Sequence, residues 1–442
     1  MLSRARSQLL AFSLGATILV YLVLVFFYQA PLLNNGDYHR ITHQLVQIPA
    51  YQGLNQVCLE IRSDAFFIPS SLASLVFEIH VVFADLAGQS CWSLQSYFLM
   101  LASIYCIGLY RCITTSLPLL SLIGLVVAPL FFSPFFKSLY EEGIVLAVLP
   151  WVILGIYRLR TQGKVLEFTI TSALLLLAKT QLALLAPAML YAIFFYGRIL
   201  KLPTLKVFFV SGVLILAVVG SLYQKQKQED GMANAYNRLF NGIGWSMQSV
   251  HSWPANHFSE RLNYFSSHQG ELQKITKDAE LVSNLNLWGT SFWPTGLELL
   301  TSGNDQRWEN IERQLKPKSL LKLFYAHPSA LIQYLQNGVF VFANSNYAYG
   351  APHEISPSLI GARLTTLNHY SLRSVIWLYA LLLIYCLLSR SGFGRLLGLG
   401  ILIGAPFVVL IGDGFFEFEK HLMPYFLTLP LLLLFIPSKN KL

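Results

Sequence analysis

The chain has four short polar segments that could do chemistry, and the first contains Asp37. This acid follows Asn-Asn-Gly and precedes Tyr-His-Arg. An acid in such a segment can serve as a general base, which removes a proton from a reacting hydroxyl. Asn-Gly-Asp is also ordinary chemistry for a turn or a helix N-cap. The residues leave both interpretations open, and we take Asp37 as the candidate catalytic residue.

The second polar segment is Tyr-Glu-Glu-Gly, with Glu141 and Glu142 at the start of an apolar run. The helix dipole favours an acid in the first turn, which is a sufficient structural reason for one of the two. Adjacent carboxylates can also raise each other's pKa, bind a divalent cation or accept a hydrogen bond from a sugar hydroxyl. We therefore predict that both acids bind substrate.

The third segment is Ala-Lys-Thr-Gln, which interrupts an apolar run at residues 165–197. Two short helices that meet at Lys179 explain the length of the run and leave the lysine at a membrane surface. One long tilted helix is the alternative, and it would bury the lysine. A lysine at such a surface often serves only as an anchor, although it can also bind a phosphate as a point charge. Lys179 and Gln181 are therefore candidate binding residues.

The fourth segment runs from Gly412 to Tyr425 and is unusually rich in charge for this chain. Gly-Asp-Gly is a turn sequence, and a lysine or histidine beside an apolar run often only extends its polar end to water. The density of acids and bases nevertheless favours a binding role. The candidate binding residues in this segment are Asp413, Glu417, Lys420 and His421.

The composition excludes a soluble globular protein. Hydrophobic residues make up 55% of the 442 residues, charged residues only 12%, and the mean hydropathy is +0.53. The net charge of +9 could suggest a nucleic-acid partner. The basic residues, however, are scattered as short flanks beside apolar runs, which is how a membrane protein fixes its orientation. We therefore expect a membrane environment and no nucleic acid.

Apolar segments of about 20 residues recur along the chain and predict an all-α polytopic membrane protein. Loops on one side carry nearly all the Lys and Arg residues that flank these segments. If that side is the cytoplasm, both termini are cytoplasmic and the four polar segments share the opposite side. The ten predicted spans are 9–28, 92–112, 117–135, 143–158, 165–178, 180–197, 205–222, 372–389, 394–412 and 422–436.

Three regions follow from these spans: an N-terminal transmembrane module at 1–222 with a first outer loop at 29–91, a large non-cytoplasmic loop at 223–371, and C-terminal transmembrane helices at 372–442. Residues 67–88 contain Glu78, His80 and Asp85, and ionisable groups are costly at mid-bilayer. We predict an interfacial helix there, or one packed among the other helices, and an interfacial helix at 324–343.

Two cysteines, Cys58 and Cys91, map to the outer side. A disulfide between them is chemically allowed in that compartment, because disulfides persist where the environment is oxidising. Unpaired thiols are the expectation that we favour.

The chain resembles the GT-C superfamily of polytopic glycosyltransferases, and within it the bacterial glycan-biosynthesis hexose transferases of the WsfD type. The resemblance covers most of the length. The residues that carry it are Asn-Gly-Asp-Tyr after the first span, Tyr-Glu-Glu, the Ala-Lys-Thr-Gln break, a helix at His327-Pro328, and a final acidic loop ending in His-Leu-Met-Pro-Tyr.

The resemblance implies transfer of a hexose from a polyprenyl-phosphate donor to a glycan or lipid-linked acceptor at the outer face of a bacterial cytoplasmic membrane. It makes Asp37 the general base of an inverting displacement. It assigns the donor phosphate to Lys179, assisted by His421 or Lys420, and assigns a sugar, the acceptor or a metal to Glu141 and Glu142. The Asp-Asp or Glu-x-Asp motif of the superfamily is missing from the first loop. The missing motif argues against metal assistance, although the paired acids keep a divalent cation as an option.

Two other functions fit a membrane protein of this kind. A transporter or flippase of lipid-linked glycans would place ionisable groups and broken helices near the midplane, often in two related halves. A polymerase or ligase of lipid-linked oligosaccharides shares the large outer loop, and we would expect arginine-rich outer motifs in it. Neither related halves nor such motifs stand out in the sequence.

Overall fold

The computed structural model describes residues 2–28, 46–47, 58–61, 71–115, 117–227, 391–413 and 427–435, with isolated residues in 325–336, 381–384 and 422–425. This part of the chain is mostly helical. Within it, five helices are long and apolar enough to cross a membrane: Leu94–Thr114, Glu142–Gln162, Thr180–Ile199, Thr204–Leu222 and Gly392–Val409. The sequence-based count of ten spans and the GT-C-like arrangement stay predictions.

The region that follows the first helix contains a small sheet, which the all-α prediction did not include. Helix α1 is Leu2–Tyr28, and strands β1 (Val46–Gln47) and β2 (Cys58–Ile61) follow it. Helix α2 (Leu72–Leu86) lies within the predicted segment 67–88 and leads to strand β3 (Cys91–Ser93). The strands pair antiparallel in the order β1-β2-β3.

A disulfide in this region corrects the expectation of two unpaired thiols. Cys91, on β3, is disulfide-bonded. Cys58 lies on the neighbouring strand β2, where it pairs in register with Ser93. Cys106 and Cys112, which lie in the apolar helix that follows β3, are free thiols.

A run of helices follows the sheet. The helix Glu142–Gln162 is at the centre of this run, because 83% of its apolar stretch is buried. In the helix Thr204–Leu222, only 33% of the apolar stretch is buried. The elements are α3 (Leu94–Thr114), α4 (Leu119–Phe132), a 3-10 turn (Ser133–Lys137), α5 (Glu142–Gln162), α6 (Val165–Ala178), a second 3-10 turn (Thr180–Leu185), α7 (Ala186–Ile199) and α8 (Thr204–Lys227).

Helices α5 and α6 form a tight antiparallel hairpin. Gly163 ends α5 with φ of +67°, a left-handed conformation that glycine adopts without a Cβ clash. Within the hairpin, a Cβ on Gly155 would lie 2.5 Å from Thr171 Oγ1. The two helices therefore approach each other closely because one of them lacks a side chain at the contact.

The predicted break between two short helices is confirmed. Helix α6 ends at Ala178, and Lys179 is extended, with φ of −154° and ψ of 131°. Helix α7 begins at Ala186 with a proline in its first turn, where the missing N–H costs no helical hydrogen bond. The alternative of one long helix through Lys179 is wrong.

The described C-terminal elements are α9 (Gly392–Leu399), a π turn (Gly400–Gly404), α10 (Ala405–Asp413) and a 3-10 segment (Leu429–Phe435). Most of the predicted helix at 324–343 and of the predicted span at 372–389 lies outside the described residues. The chain divides into two compact units: Met1–Lys227 with Asn346–Ala405 and Met423–Leu442, and Gln228–Ser345 with Pro406–Leu422. All contacts discussed below lie within the first unit.

Candidate functional site

The two adjacent acids are presented by a compact turn ahead of α5. Ser138 Oγ donates a hydrogen bond to Phe135 O over 2.8 Å and accepts one from Tyr140 N over 3.2 Å. A Cβ on Gly143 would lie 2.6 Å from Phe135 O, so the close approach of this turn to α5 requires glycine. The turn therefore delivers Glu142 as the first residue of α5, against its neighbours rather than into solvent.

The lysine of the helix break is held from two sides. Thr180 Oγ1 donates to Ser221 O of α8 over 3.3 Å. The Tyr425 hydroxyl donates to the backbone carbonyl of Gln181. The Tyr425 bond satisfies a backbone carbonyl of the break, and the Thr180 bond ties the break to α8. The backbone beside Lys179 is thus held in place by both neighbouring contacts.

Glu141, Glu142 and Lys179 meet in one group, which we call the Glu–Lys cluster. Lys179 Nζ lies 2.5 Å from Glu142 Oε1 and 3.9 Å from Glu141 Oε2. The side chain of Glu142 is 0% exposed, that of Lys179 13% and that of Glu141 17%. The second carboxylate oxygen of Glu142 is buried and has no hydrogen-bond partner among the described residues. With both acids ionised, the cluster has a net charge of −1.

Such a cluster is costly to keep for stability alone. Burying two charges removes their hydration, and their mutual attraction returns that free energy only in part. A buried carboxylate oxygen without a partner adds roughly 1–3 kcal/mol to this cost. Buried charges of this kind concentrate at functional sites. The Glu–Lys cluster is therefore the candidate functional site of the described residues.

The opposite end of the α5–α6 hairpin carries a basic cluster. Arg158 Nη1 lies 2.6 Å from Glu167 Oε1, and its Nη2 donates to Thr115 Oγ1 over 3.4 Å. Arg160 Nη1 donates to Leu434 O over 2.9 Å, beside the C-terminal end of the last 3-10 segment. We call this the basic end, and the end with the Glu–Lys cluster the acidic end.

The disulfide belongs to the acidic end. Cys91 lies three residues before the first residue of α3, Leu94. Four residues into α3, the ring of Phe98 packs 6.1 Å from the ring of Phe136, in the turn that precedes the acids. The start of α3, the disulfide and the Glu–Lys cluster therefore share one end of the helices.

Lys137 is a further buried cation at the acidic end, and it is not among the residues predicted from the sequence. Its side chain donates to Phe26 O in the last turn of α1 over 2.9 Å, and the residue is 7% exposed. Burial lowers the pKa of the Lys137 ammonium to about 8. An ammonium at a helix C-terminus complements the dipole. The available signal was a lone lysine on the side where positive charges are otherwise rare.

A resident metal finds little support in this geometry. In the described part of the chain, no group of three or more His, Cys, Asp or Glu side chains comes together. At the Glu–Lys cluster the ammonium of Lys179 occupies the place between the two carboxylates where a cation would sit. Mg²⁺ takes six ligands and Ca²⁺ six to eight, mostly oxygens. The open option of a divalent cation therefore stays a prediction.

Most of the other predicted site residues lie outside the part of the chain that the structure describes. Asp37, Glu417, Lys420 and His421 lie outside the described residues. Asp413 is the last residue of α10, and only its backbone is described. Gln181 lies next to the break and its backbone carbonyl accepts from Tyr425. Of the nine candidates, the structure brings together Glu141, Glu142 and Lys179.

Comparison of the chain with protein-family models, with curated proteins and with solved structures finds no match. Neither a family nor an activity is therefore transferred from a relative. What the protein does has to be inferred from the chemistry of the Glu–Lys cluster and from its position among helices that can cross a membrane.

Proposed function

We propose that the protein is an inverting membrane glycosyltransferase, which moves a hexose from a polyprenyl-phosphate donor to a glycan or lipid-linked acceptor. The observation that carries the proposal is the Glu–Lys cluster, two carboxylates and one ammonium held at the end of apolar helices. Carboxylates fixed in this way accept hydrogen bonds from sugar hydroxyls. The donor in this proposal is a lipid, which reaches such a site from the bilayer.

Two independent features support a non-cytoplasmic position for the acidic end. The basic end carries Arg158 and Arg160, and Lys and Arg accumulate on the cytoplasmic side of membrane proteins. Cys91 at the acidic end is disulfide-bonded, and disulfides persist in oxidising compartments outside the cytoplasm. Charge and redox chemistry thus favour the same orientation, in which the site faces the outside of a bacterial cytoplasmic membrane.

The depth of the cluster supports a lipid-linked substrate. From Glu167 to Lys179, α6 rises about 18 Å, and from Glu142 to Arg158, α5 rises about 24 Å. The hydrocarbon core of a bilayer is about 30 Å thick. With the basic end at the cytoplasmic surface, the Glu–Lys cluster lies below the outer surface of the bilayer. A sugar attached to a membrane lipid can reach that depth more readily than a freely soluble one.

The charges of the cluster favour a particular division of roles. Lys179 is already paired with Glu142, so its charge is not available to a phosphate unless that pair opens. The net negative cluster suits the hydroxyls of a sugar better than an anion. We therefore propose that Glu141, the accessible acid, binds the sugar, and that the buried pair of Glu142 and Lys179 positions it. This division of roles does not require Glu142 to contact the substrate. The phosphate-binding role of Lys179, His421 and Lys420 that the resemblance implies stays a prediction.

The proposed reaction needs one base and one leaving group. Asp37 would take the proton from the acceptor hydroxyl as its oxygen forms a bond with the anomeric carbon of the hexose. The bond between that carbon and the donor phosphate oxygen breaks on the opposite side, so the polyprenyl phosphate leaves with the electron pair and the anomeric centre inverts. A general base of this kind contributes roughly a factor of 10² to 10⁴ in rate.

Transfer from a panel of radiolabelled polyprenyl-phosphate hexoses, with the protein in proteoliposomes, tests the proposal. We expect one hexose to appear in a lipid or glycan product, and the Asp37→Asn variant to lose at least about 100-fold of the rate at equal protein amounts. Wild-type rates in Asp37→Asn would rule out Asp37 as the base. No transfer from any donor by the wild-type protein would overturn the glycosyltransferase proposal.

A transporter or flippase of lipid-linked glycans is the second candidate, and the helix break at Lys179 favours it. Broken helices and ionisable groups within the bilayer are typical of transporters. The same proteoliposomes separate the two functions, because a flippase moves a labelled lipid-linked glycan between leaflets without altering it. Translocation of an unchanged lipid, with no new product, would support the flippase. A lipid-linked oligosaccharide polymerase or ligase would instead lengthen or transfer the glycan.

A further inference from the structure

Helix α2 carries a stripe of large apolar side chains that are exposed. The side chains are spaced by four, three, one and three residues, so they share one face of the helix. Phe83 is 67% exposed and Leu86 77%. Exposed apolar patches of this kind mark a contact with another apolar body. The stripe consists of Leu75, Ile79, Val82, Phe83 and Leu86.

The opposite face of α2 is already used by the protein. Ala73, Phe77, Val81 and Ala84 are buried on that face. Helix α2 therefore has two apolar faces. One packs into the protein, and the other, the stripe, is exposed. A Ser71 capping box fixes where the helix begins.

Contacts at the middle of α2 place it at the acidic end. The ring of Phe77 lies 5.0 Å from that of Trp92, and Trp92 Nε1 donates to His80 Nδ1 over 2.7 Å. The ring of His80 also lies 5.5 Å from that of Tyr97, in the first turn of α3. A helix running beside α3 through the bilayer would contact the start of α3 with its last turn, not with its middle. Helix α2 therefore lies beside the start of α3, with its buried face turned toward α3 and its stripe turned away from it.

The length of α2 also argues against a transmembrane span. Its 15 residues extend about 22 Å, which is less than the hydrocarbon thickness of a bilayer. Strand β2 precedes α2 and strand β3 follows it, and these two strands pair with each other. The segment that contains α2 thus leaves from and returns to the same sheet.

The geometry points to α2 as a membrane-surface helix, whose stripe inserts among the acyl chains of the bilayer leaflet at the acidic end. Acyl chains are the occupant that the surroundings favour, because α3 can itself cross a membrane and its Leu99, near the acidic end, is also exposed. Glu78 and Asp85 share the flank between the buried face and the stripe, which allows them to reach the water above the leaflet.

The charges on α2 indicate whether its attachment requires anionic lipids. Interfacial helices commonly hold anionic lipids with Lys and Arg on their polar face. Helix α2 carries acids and has no Lys or Arg between Leu72 and Leu86. Its attachment therefore depends on apolar insertion, and it needs no anionic lipid. This inference is independent of the enzyme activity proposed above.

Site-specific photo-crosslinking of the full-length protein in phosphatidylcholine vesicles tests the inference. Benzoylphenylalanine is introduced at Phe83 or Leu75 on the stripe, and at Asp85 or Glu78 on the acidic flank as matched controls on the same helix. We expect at least about tenfold more phospholipid adduct from the stripe than from the flank, read by intact-protein mass spectrometry. Equal adduct from all four positions, or cross-links from the stripe to a second copy of the chain, would overturn it.

The lipid composition provides the second measurement. Adding phosphatidylglycerol to the vesicles should leave the adduct yield at Phe83 within about twofold, because no basic residue of α2 would bind the headgroup. A yield that depends on the anionic lipid would contradict insertion by apolar contact alone. Both outcomes are read without any assay of catalysis.

Discussion

The α5–α6 hairpin carries an ion pair at each end, and the two pairs are built differently. At the basic end, the side chains of Arg158 and Glu167 are 20% and 31% exposed. They are close in sequence and face each other across the tight turn at Gly163. At the acidic end, Glu142 and Lys179 are far apart in sequence, the carboxylate is fully buried, and a second acid, Glu141, lies close by.

We propose that this difference separates a structural ion pair from a functional one. A partly hydrated pair costs little to form and contributes about 0–1 kcal/mol, which suffices to hold the end of a hairpin. A buried pair must overcome a large desolvation cost, and apolar residues of similar volume would often be as stable. The acidic end therefore retains its charges for a reason other than stability, and the basic end needs no such reason.

The largest expected effect comes from breaking one pair at a time. Glu142→Gln removes the nearer carboxylate of Lys179 and leaves Glu141, at 3.9 Å, as its remaining ion-pair partner, so we expect a loss of about 1.5–3 kcal/mol in the free energy of unfolding. Hexose transfer should fall by at least about 100-fold. Glu167→Gln is the matched control at the basic end. We expect it to lower the free energy of unfolding by about 0–1 kcal/mol and to leave hexose transfer unchanged. Unfolding in detergent and initial transfer rates provide both readouts, and equal effects of the two variants would remove the distinction.

Replacing both members of the buried pair distinguishes stability from function. In the double variant Glu142→Met with Lys179→Met, the fully buried ion pair is gone and the remaining acid of the cluster, Glu141, is partly exposed, so the free energy of unfolding should return to within about 1 kcal/mol of the wild type. Transfer should stay as low as in Glu142→Gln, because the pair that positions Glu141 for the sugar is missing. Recovery of transfer along with stability would make the pair structural.

A smaller effect concerns Lys137, the other buried cation of the acidic end. Its pKa is lowered to about 8 from 10.5, so between these pH values the unfolded chain binds more protons than the folded one. The stability of the wild type relative to Lys137→Met should therefore rise by on the order of 1–3 kcal/mol as the pH increases through this window. Unfolding measured from pH 7 to 11 in both proteins checks this, and a pH-independent difference would contradict it.

Much of the fold could be predicted because membrane helices are encoded locally. Long apolar segments predict the helices, and the polar tetrad at Lys179 predicts the break, since an ionisable residue is costly inside a continuous apolar helix. The three-stranded sheet was missed, because its strands of two to four residues are too short for a periodic pattern. The disulfide at Cys91 was also misjudged, since the pairing depends on which strands become neighbours.

The candidate site was predictable in its residue types but not in its contacts. The acids and the lysine were noticed because charges are rare in this chain. Their partnership was not visible, because Glu142 and Lys179 belong to different helices. Lys137 and Tyr425 were not selected, because one resembles a surface lysine and the other a membrane aromatic until their carbonyl partners are known.

The sequence by itself determined that this chain is apolar, helical and asymmetric in charge, because hydropathy and the placement of Lys and Arg are properties of local composition. Only the tertiary structure decided which charges meet. It pairs Lys179 with Glu142 in a buried cluster and leaves Arg158 and Glu167 partly hydrated, since burial and distance depend on how the helices pack. The same packing separates the two faces of α2, which composition alone makes look equally apolar.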